Sequence, residues 1–282
     1  FSMFYNATVF NQDISSWDVT NVTDMINMFS NATSFNQDIG SWDVSKVTGM
    51  NSMFNNAIAF NQDISSWDVS NVTKMNGMFN QAASFNQPIG DWDVSSVTYM
   101  VDMFKYTYDF NQDISNWNVS SVTDFGGMFR NTSAFNQPIG NWDVSSVTST
   151  KAMFEYAYAF NQSIGNWDVS NVTDMSYMFR YAYDFNQDIG SWDVSSGVNF
   201  SSMFDGAQSF GVIPINLKVL DCDFYSFSGH KYVMAPQGTG GFYVRQDRIN
   251  WIKPSWTNSK KSIRHNWGLK FGPKSGRIVP VV

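Results

Sequence analysis

An acidic position recurs every 25 residues through the first 210 residues, and it is the first candidate for chemistry. It holds Asp18, Asp43, Asp68, Asp93, Asn118, Asp143, Asp168 and Asp193. On the outer face of successive strands these carboxylates would lie about 4.8 Å apart and repel one another. A row of Ca²⁺ would offset the repulsion, because hard cations take carboxylate oxygens. We favour the alternative, in which each Asp hydrogen-bonds the adjacent serine row (Ser45, Ser70, Ser95), and we expect no metal site.

A second position is aromatic and varies between copies. Its tyrosines come in pairs that flank a small residue: Tyr106 and Tyr108, Tyr156 and Tyr158, Tyr181 and Tyr183. Other copies carry Asn and Thr or Asn and Ser here, and such variation indicates exposure to solvent. Exposed tyrosines are favoured contact residues in recognition surfaces. The alternative is that they only shield the edge between a helix and a loop, and both interpretations stay open.

These positions belong to a repeat. The phrase Phe-Asn-Gln begins at Phe10, Phe35, Phe60, Phe85, Phe110, Phe135, Phe160 and Phe185. A fixed period in the twenties is typical of a solenoid, in which each unit buries its apolar face against its neighbours. We therefore expect the Trp, Phe and Met-Phe columns to form the core, and the Asn-Gln pairs to satisfy backbone groups at the turns.

Within one repeat, the pattern predicts a strand, a turn and a short helix. Alternation over residues 42–44 places Trp and Val inward and Asp outward, as in a strand. Spacings of three and four then predict a helix with one buried stripe, formed by Val47, Met50, Phe54 and Ala57.

The motif W-D-V-S-x-V-T-x-M-x-x-M-F with F-N-Q-D-I resembles the bacterial surface-protein repeat of the BspA type, a relative of leucine-rich repeats. The resemblance covers residues 1–210. It implies an α/β, right-handed, leucine-rich-repeat-like solenoid of about eight 25-residue repeats. It also implies a cell-surface or secreted protein used in adhesion or protein binding, with no catalysis and no cofactor in the repeats.

Charge narrows the class of partner. Residues 1–210 hold 6 Lys/Arg against 21 Asp/Glu, a balance of −15, whereas residues 211–282 hold 11 against 3, a balance of +8. The acidic repeats argue against nucleic acid or an anionic membrane as the main partner. A single cysteine excludes an intramolecular disulfide, and no apolar run approaches the roughly 20 residues needed to span a bilayer. Because the chain opens in mid-repeat, we expect a fragment whose N-terminal capping unit is missing.

The tail, residues 211–282, is unrelated to the repeats. Residues 223–227 and 241–245 are predicted to form two short strands joined by a loop rich in Gly and Pro. Ser228-Gly229-His230-Lys231, followed by P-x-G-x-G-G, closely resembles the cofactor-lysine segment of class V aminotransferases, over about residues 216–258. That family includes cysteine desulfurases and isopenicillin-epimerase-like enzymes. The resemblance implies that Lys231 forms the Schiff base with pyridoxal phosphate, with Ser228 or His230 near the phosphate.

The rest of such a site should lie upstream of the lysine, where the sequence is repeat. We therefore expect the tail to be a short, incomplete α/β segment. We favour a piece of an enzyme joined to repeats by fusion, misassembly or frameshift. The alternatives are a hairpin that caps the last repeat and a segment that completes a pyridoxal site in trans. Catalysis by this chain is not expected, and a pyridoxal-phosphate-dependent lyase or transferase is the alternative.

Overall fold

The structure is a computed structural model that describes residues 2–204, 224–228, 240–244 and 277–281. The chain divides into two units, Phe1–Asp205 and Gly206–Val282. Over the described part of the chain no helix is long and apolar enough to cross a membrane.

In the first unit, successive repeats are joined by backbone hydrogen bonds between residues 24 positions apart. The N–H of Met25 donates to the carbonyl of Gly49 at 3.0 Å, and the N–H of Phe29 donates to that of Met53 at 2.9 Å. Single-residue parallel bridges run from repeat to repeat through Asp24, Gly49, Lys74, Tyr99, Asp124, Ser149, Asp174 and Asn199. Equivalent residues of neighbouring repeats therefore lie side by side.

The predicted short helix is not formed: residues 2–204 contain turns at the corresponding positions. In one repeat the N–H of Met28 donates to the carbonyl of Met25, and that of Ala32 donates to that of Phe29. The third residues of these two turns, Asn27 and Asn31, have φ of 55° and 61°. A right-handed helix needs negative φ throughout, so the positive values exclude it. The N–H groups of Asn27, Phe29 and Asn31 donate to carbonyls of the next repeat instead of to the residue four positions back.

The strand predicted over residues 42–44 is also absent, although its inside–outside pattern is correct. Trp42 and Val44 are buried and Asp43 is exposed. The N–H of Trp42 closes a turn on the carbonyl of Ile39 at 3.1 Å, so it does not pair with a neighbouring repeat.

The core consists of aromatic columns, as predicted. Phe29 stacks on Phe35 at a ring-centroid distance of 3.9 Å and on Phe54 of the next repeat at 5.6 Å. The indole N–H of Trp67, a side chain that is 3% exposed, donates to the carbonyl of Ile39 in the preceding repeat at 3.1 Å. The same bond recurs at the other described tryptophans from Trp42 to Trp192. The tryptophans therefore pack the interior and do not form a surface for sugar rings.

The Asn-Gln pairs close the coils, which confirms the structural role predicted for them. The Asn36 side-chain oxygen accepts from the backbone N–H of Asn61 at 2.9 Å and from the Gln62 amide at 3.0 Å. The Gln62 amide also donates to the Asn36 carbonyl at 3.0 Å.

In the second unit the described residues form one antiparallel sheet in the order β1-β2-β3. The strands are β1 (Phe224–Ser228), β2 (Gly240–Val244) and β3 (Arg277–Val281). β1 and β2 confirm the two predicted strands, each with its bounds shifted by one residue, and β3 was not predicted. The register pairs Ser226 with Phe242 and Phe242 with Val279.

Candidate binding surface

Three of the six candidate tyrosines occupy a position with an unusual backbone conformation. Tyr106, Tyr156 and Tyr181 have φ of 58°, 59° and 59°. Other repeats have positive φ at the same position and carry Asn6, Asn31, Asn56, Gln81 and Asn131 there. Asn tolerates this left-handed region, whereas other side chains pay about 1–2 kcal/mol per residue. The local backbone at this position therefore favours Asn over tyrosine.

The six tyrosines, hereafter the tyrosine surface, form three pairs at the edge of the repeats. Tyr108, Tyr158 and Tyr183 are 47%, 41% and 47% exposed, as expected from the sequence, while their partners are half-buried. Within each pair the rings meet edge to face at 6.2 Å.

The last two pairs also stack on each other between repeats. Tyr156 and Tyr181 lie 4.7 Å apart, and Tyr158 and Tyr183 lie 5.3 Å apart. Offset stacks in this range are favourable. Four tyrosines are thus brought into one cluster, whereas Tyr106 and Tyr108 are separated from them by the repeat that carries Asn131 and Ser133.

A cationic side chain packs against this cluster. The Arg180 guanidinium lies 4.5 Å from the ring of Tyr177, 5.6 Å from Tyr181 and 5.9 Å from Tyr156. Contacts of this kind contribute about 0.5–1 kcal/mol at exposed sites. Neither Arg180 nor Tyr177 was singled out from the sequence.

Arg180 is held in turn by a buried carboxylate. Glu155 is 1% exposed and lies between Arg130 and Arg180 of the two adjacent repeats. Arg180 Nε donates to Glu155 Oε1 at 2.5 Å, and Arg130 Nε lies 2.7 Å from Oε2 without the alignment of a hydrogen bond. Burial lowers the pKa of Arg180, but the hydrogen bond and charge of Glu155 outweigh burial and raise it. In the sequence this cluster is indicated by Arg130, Glu155 and Arg180, which alternate in charge and are spaced 25 residues apart.

The acidic column is organised by turns inside each repeat. The N–H and hydroxyl of Ser45 donate to Asp43 Oδ1 at 3.0 and 2.6 Å, as the favoured serine interpretation predicts. The Ser or Thr hydroxyl first, and then its N–H, lowers the pKa of Asp18, Asp43, Asp93, Asp143, Asp168 and Asp193. No group of three or more metal-ligating side chains occurs in the described ranges.

Of the tail's candidate residues, only Ser228 is described: it is the last residue of β1 and pairs with Gly240. His230 and Lys231 lie outside the described residues.

Comparison with known proteins shows the family to which the repeats belong. Three overlapping stretches, residues 1–84, 59–163 and 128–219, match the family described as "Mycoplasma protein of unknown function, DUF285". The chain belongs to this family. A second match, to class V aminotransferases, covers residues 194–272. The chain is thus a composite of the two segments that the sequence indicated, and the two matches overlap over residues 194–219.

Curated relatives match only short parts of the chain. The cysteine desulfurase of Pectobacterium atrosepticum is 42% identical over 60 residues, which are 21% of this chain and 14% of that protein. Isopenicillin N epimerase of Amycolatopsis lactamdurans is 40% identical over 55 residues, 18% of this chain and 14% of that protein. Cysteine desulfurase IscS of Buchnera aphidicola is 55% identical over 74 residues, 26% of this chain and 16% of that protein. The chain therefore spans about one seventh of the length of these relatives, and no solved structure matches it.

Proposed function

We propose that residues 1–210 form a right-handed, leucine-rich-repeat-like solenoid at the cell surface or in secreted form, whose tyrosine surface binds a protein ligand. The hydrogen-bond ladder with its constant register and the continuous aromatic core support the solenoid. Membership of a repeat family with matches across residues 1–219 supports a repeat-protein role. The acidic balance of the repeats disfavours nucleic acid and anionic membranes as partners.

The observation that carries the binding role is tyrosine at a position where the backbone favours asparagine. In residues 2–204, the hydroxyls of the six tyrosines make no hydrogen bond to another described protein group. Exposed rings with free hydroxyls supply a large contact area at low cost in conformational entropy. A purely shielding role would be served equally well by an aliphatic side chain and would not require free hydroxyls.

The test replaces Tyr106, Tyr156 and Tyr181 together by Asn, the residue that other repeats carry at this position. Binding of the purified chain to immobilised host-cell and matrix proteins should weaken at least tenfold, with an unchanged circular dichroism spectrum. Tyr99→Asn is the matched control, because Tyr99 is 43% exposed but lies at a bridge position outside the tyrosine surface. Unaltered binding by the triple variant would exclude the tyrosine surface as the binding site.

A second candidate function comes from the tail: part of a pyridoxal-phosphate-dependent enzyme. The class V match over residues 194–272 supports it. This match includes Asp221 and Asp223 upstream of Lys231, so an acid for the pyridine nitrogen does not have to come from the repeats. Bound pyridoxal phosphate would supply an electron sink for an amino-acid substrate. Lys231 would hold the cofactor, and Ser228 or His230 would hold its phosphate.

Titration with pyridoxal phosphate tests this second function. A saturable visible absorbance band that is absent from Lys231→Ala, but present in the control Lys260→Ala, would support it. Borohydride trapping and peptide mass spectrometry then locate the modified lysine. Labelling spread evenly over the lysines of the tail would show that this chain holds no cofactor site.

A further inference from the structure

The tyrosine surface contains a gap one repeat wide. Tyr106 and Tyr108 lie on one side of it, and Tyr156 and Tyr158 lie on the other. The repeat between them carries Asn131 and Ser133, whose side chains are too short to continue either column of rings. The faces of Tyr156 and Tyr158 that point away from Tyr181 and Tyr183 therefore border this gap.

The width of the gap follows from the spacing of the repeats. Stacked tyrosines of adjacent repeats are 4.7 and 5.3 Å apart. Tyrosines two repeats apart are then separated by about 9–11 Å, twice the spacing of adjacent strands. One planar ring placed midway would lie about 5 Å from the ring on each side, which is within the favourable range for aromatic pairs. The gap thus has the dimensions of one missing aromatic ring.

The repeat that spans the gap carries a polar side chain, Asn131. In other repeats the Asn at this position bonds along its column: Asn31 donates to Asn6 at 2.8 Å, and Asn56 donates to Asn31 at 2.9 Å. Within residues 2–204 this column bond is found only at Asn6, Asn31 and Asn56, and the column neighbours of Asn131 are Tyr106 and Tyr156. Its amide is available to donate and accept, while the charged groups nearby, Arg130 and Glu155, are engaged with each other.

We propose that this gap binds one aromatic side chain of a partner protein, sandwiched between Tyr108 and Tyr158 and hydrogen-bonded by Asn131. The proposal rests on the proposed binding function and names its central contact. A sugar ring is the alternative occupant, and methyl glucoside tests for it.

N-acetyl-tyrosinamide is the probe, observed by NMR with the intact chain. Sandwiching between two ring faces should shift the probe's ring protons upfield, and the Asn131 side-chain amide signal should move with the same saturation curve. Ser133→Tyr fills the gap from within and should weaken probe binding at least tenfold. Thr33→Tyr adds a tyrosine at the same repeat position far from the gap and should leave binding unchanged.

Tyr108→Ala removes one wall and tests the site independently of how well Ser133→Tyr folds. Absence of saturable shifts, equal binding of N-acetyl-leucinamide, or tighter binding of methyl glucoside would each overturn the proposal. The result is separable from the broader binding role. Loss of protein binding in the triple Asn variant, with no probe binding to the gap, would keep the tyrosine surface and exclude the aromatic side chain as its ligand.

Discussion

Glu155 and Arg180, 25 residues apart in the sequence, form a charge-assisted hydrogen bond in which Arg180 Nε lies 2.5 Å from Glu155 Oε1. The pair exists only because the repeat register brings equivalent positions together. It anchors the guanidinium that lies over Tyr156, Tyr177 and Tyr181. Arg180 thereby connects a buried acid to the tyrosine cluster.

Arg180→Ala should destabilise the repeats by about 2–3 kcal/mol, because removing one partner leaves a buried carboxylate only partly compensated. The stacked tyrosines lose their supporting cation at the same time. Urea unfolding followed by tryptophan fluorescence measures the change.

The matched control replaces Arg130, Glu155 and Arg180 together by Asn, which other repeats carry at this position as Asn55 and Asn80. Because no charge is then left buried, the triple variant should be more stable than Arg180→Ala. If it is less stable, the three charges contribute net stability and the explanation by desolvation is wrong.

Much of the repeat could be predicted from its sequence, since burial follows from periodicity alone. Trp42 and Val44 are inside and Asp43 is outside, as alternation requires. The secondary structure was predicted wrongly because spacings of three and four also arise from consecutive tight turns. A discriminating signal is the Asn or Gly that some repeats carry at the third residue of a turn, as at Asn27 and Gly77, whose φ values are positive.

The candidate site was predicted in part. The six tyrosines were identified from variation at a fixed repeat position, but their supporting residues were not. Arg130, Glu155 and Arg180 become visible only when the repeats are aligned and charges are compared along one column. In the tail, β3 pairs with β2 although more than 30 residues separate them in sequence, and no local pattern reports such a partner.

Acid should destabilise the repeats through the aspartate column. The folded-state pKa of Asp43 and its equivalents lies below the ordinary value, because the serine or threonine group two residues on donates to the ionised form. The stability that the ionised aspartates contribute is fully present above their unfolded-state pKa of about 3.9. It is lost as the pH falls through their lower folded-state pKa. The Tm should therefore be nearly constant from pH 7 to 5 and decrease below about pH 4.

The control for this effect removes the hydroxyls. Ser45 and Ser145 donate their hydroxyls to Asp43 and Asp143 at 2.6 Å. Ser45→Ala with Ser145→Ala should reduce the loss of Tm on acidification, whereas Ser96→Ala, at an exposed serine, should not. Equal pH profiles for the three proteins would show that these bonds do not set the acid response.

Trp67→Phe should destabilise the repeats although the ring remains aromatic. The indole N–H donates to the carbonyl of Ile39 in the preceding repeat, and the side chain is 3% exposed. The substitution removes one of the two hydrogen bonds to this carbonyl, which still accepts from the Trp42 N–H, and leaves a small cavity, so we expect a loss of about 1 kcal/mol. Trp17→Phe is the comparison, because Trp17 is 38% exposed. Equal losses in urea unfolding would contradict a role for the inter-repeat bond.

Tyr106→Asn should stabilise the chain while it weakens ligand binding. Tyr106 has φ of 58°, and its ring meets that of Tyr108 edge to face at 6.2 Å. Asn relieves a left-handed conformation that costs about 1 kcal/mol for a larger side chain. It can also hydrogen-bond Asn131, as Asn56 does with Asn31 at 2.9 Å.

The reverse change, Asn56→Tyr, should destabilise the chain by a similar amount. Changes in Tm of opposite sign for these two substitutions would establish that tyrosine at this position lowers the stability of the chain. A decrease in Tm for Tyr106→Asn as well would show that the aromatic contacts of Tyr106 outweigh the backbone strain.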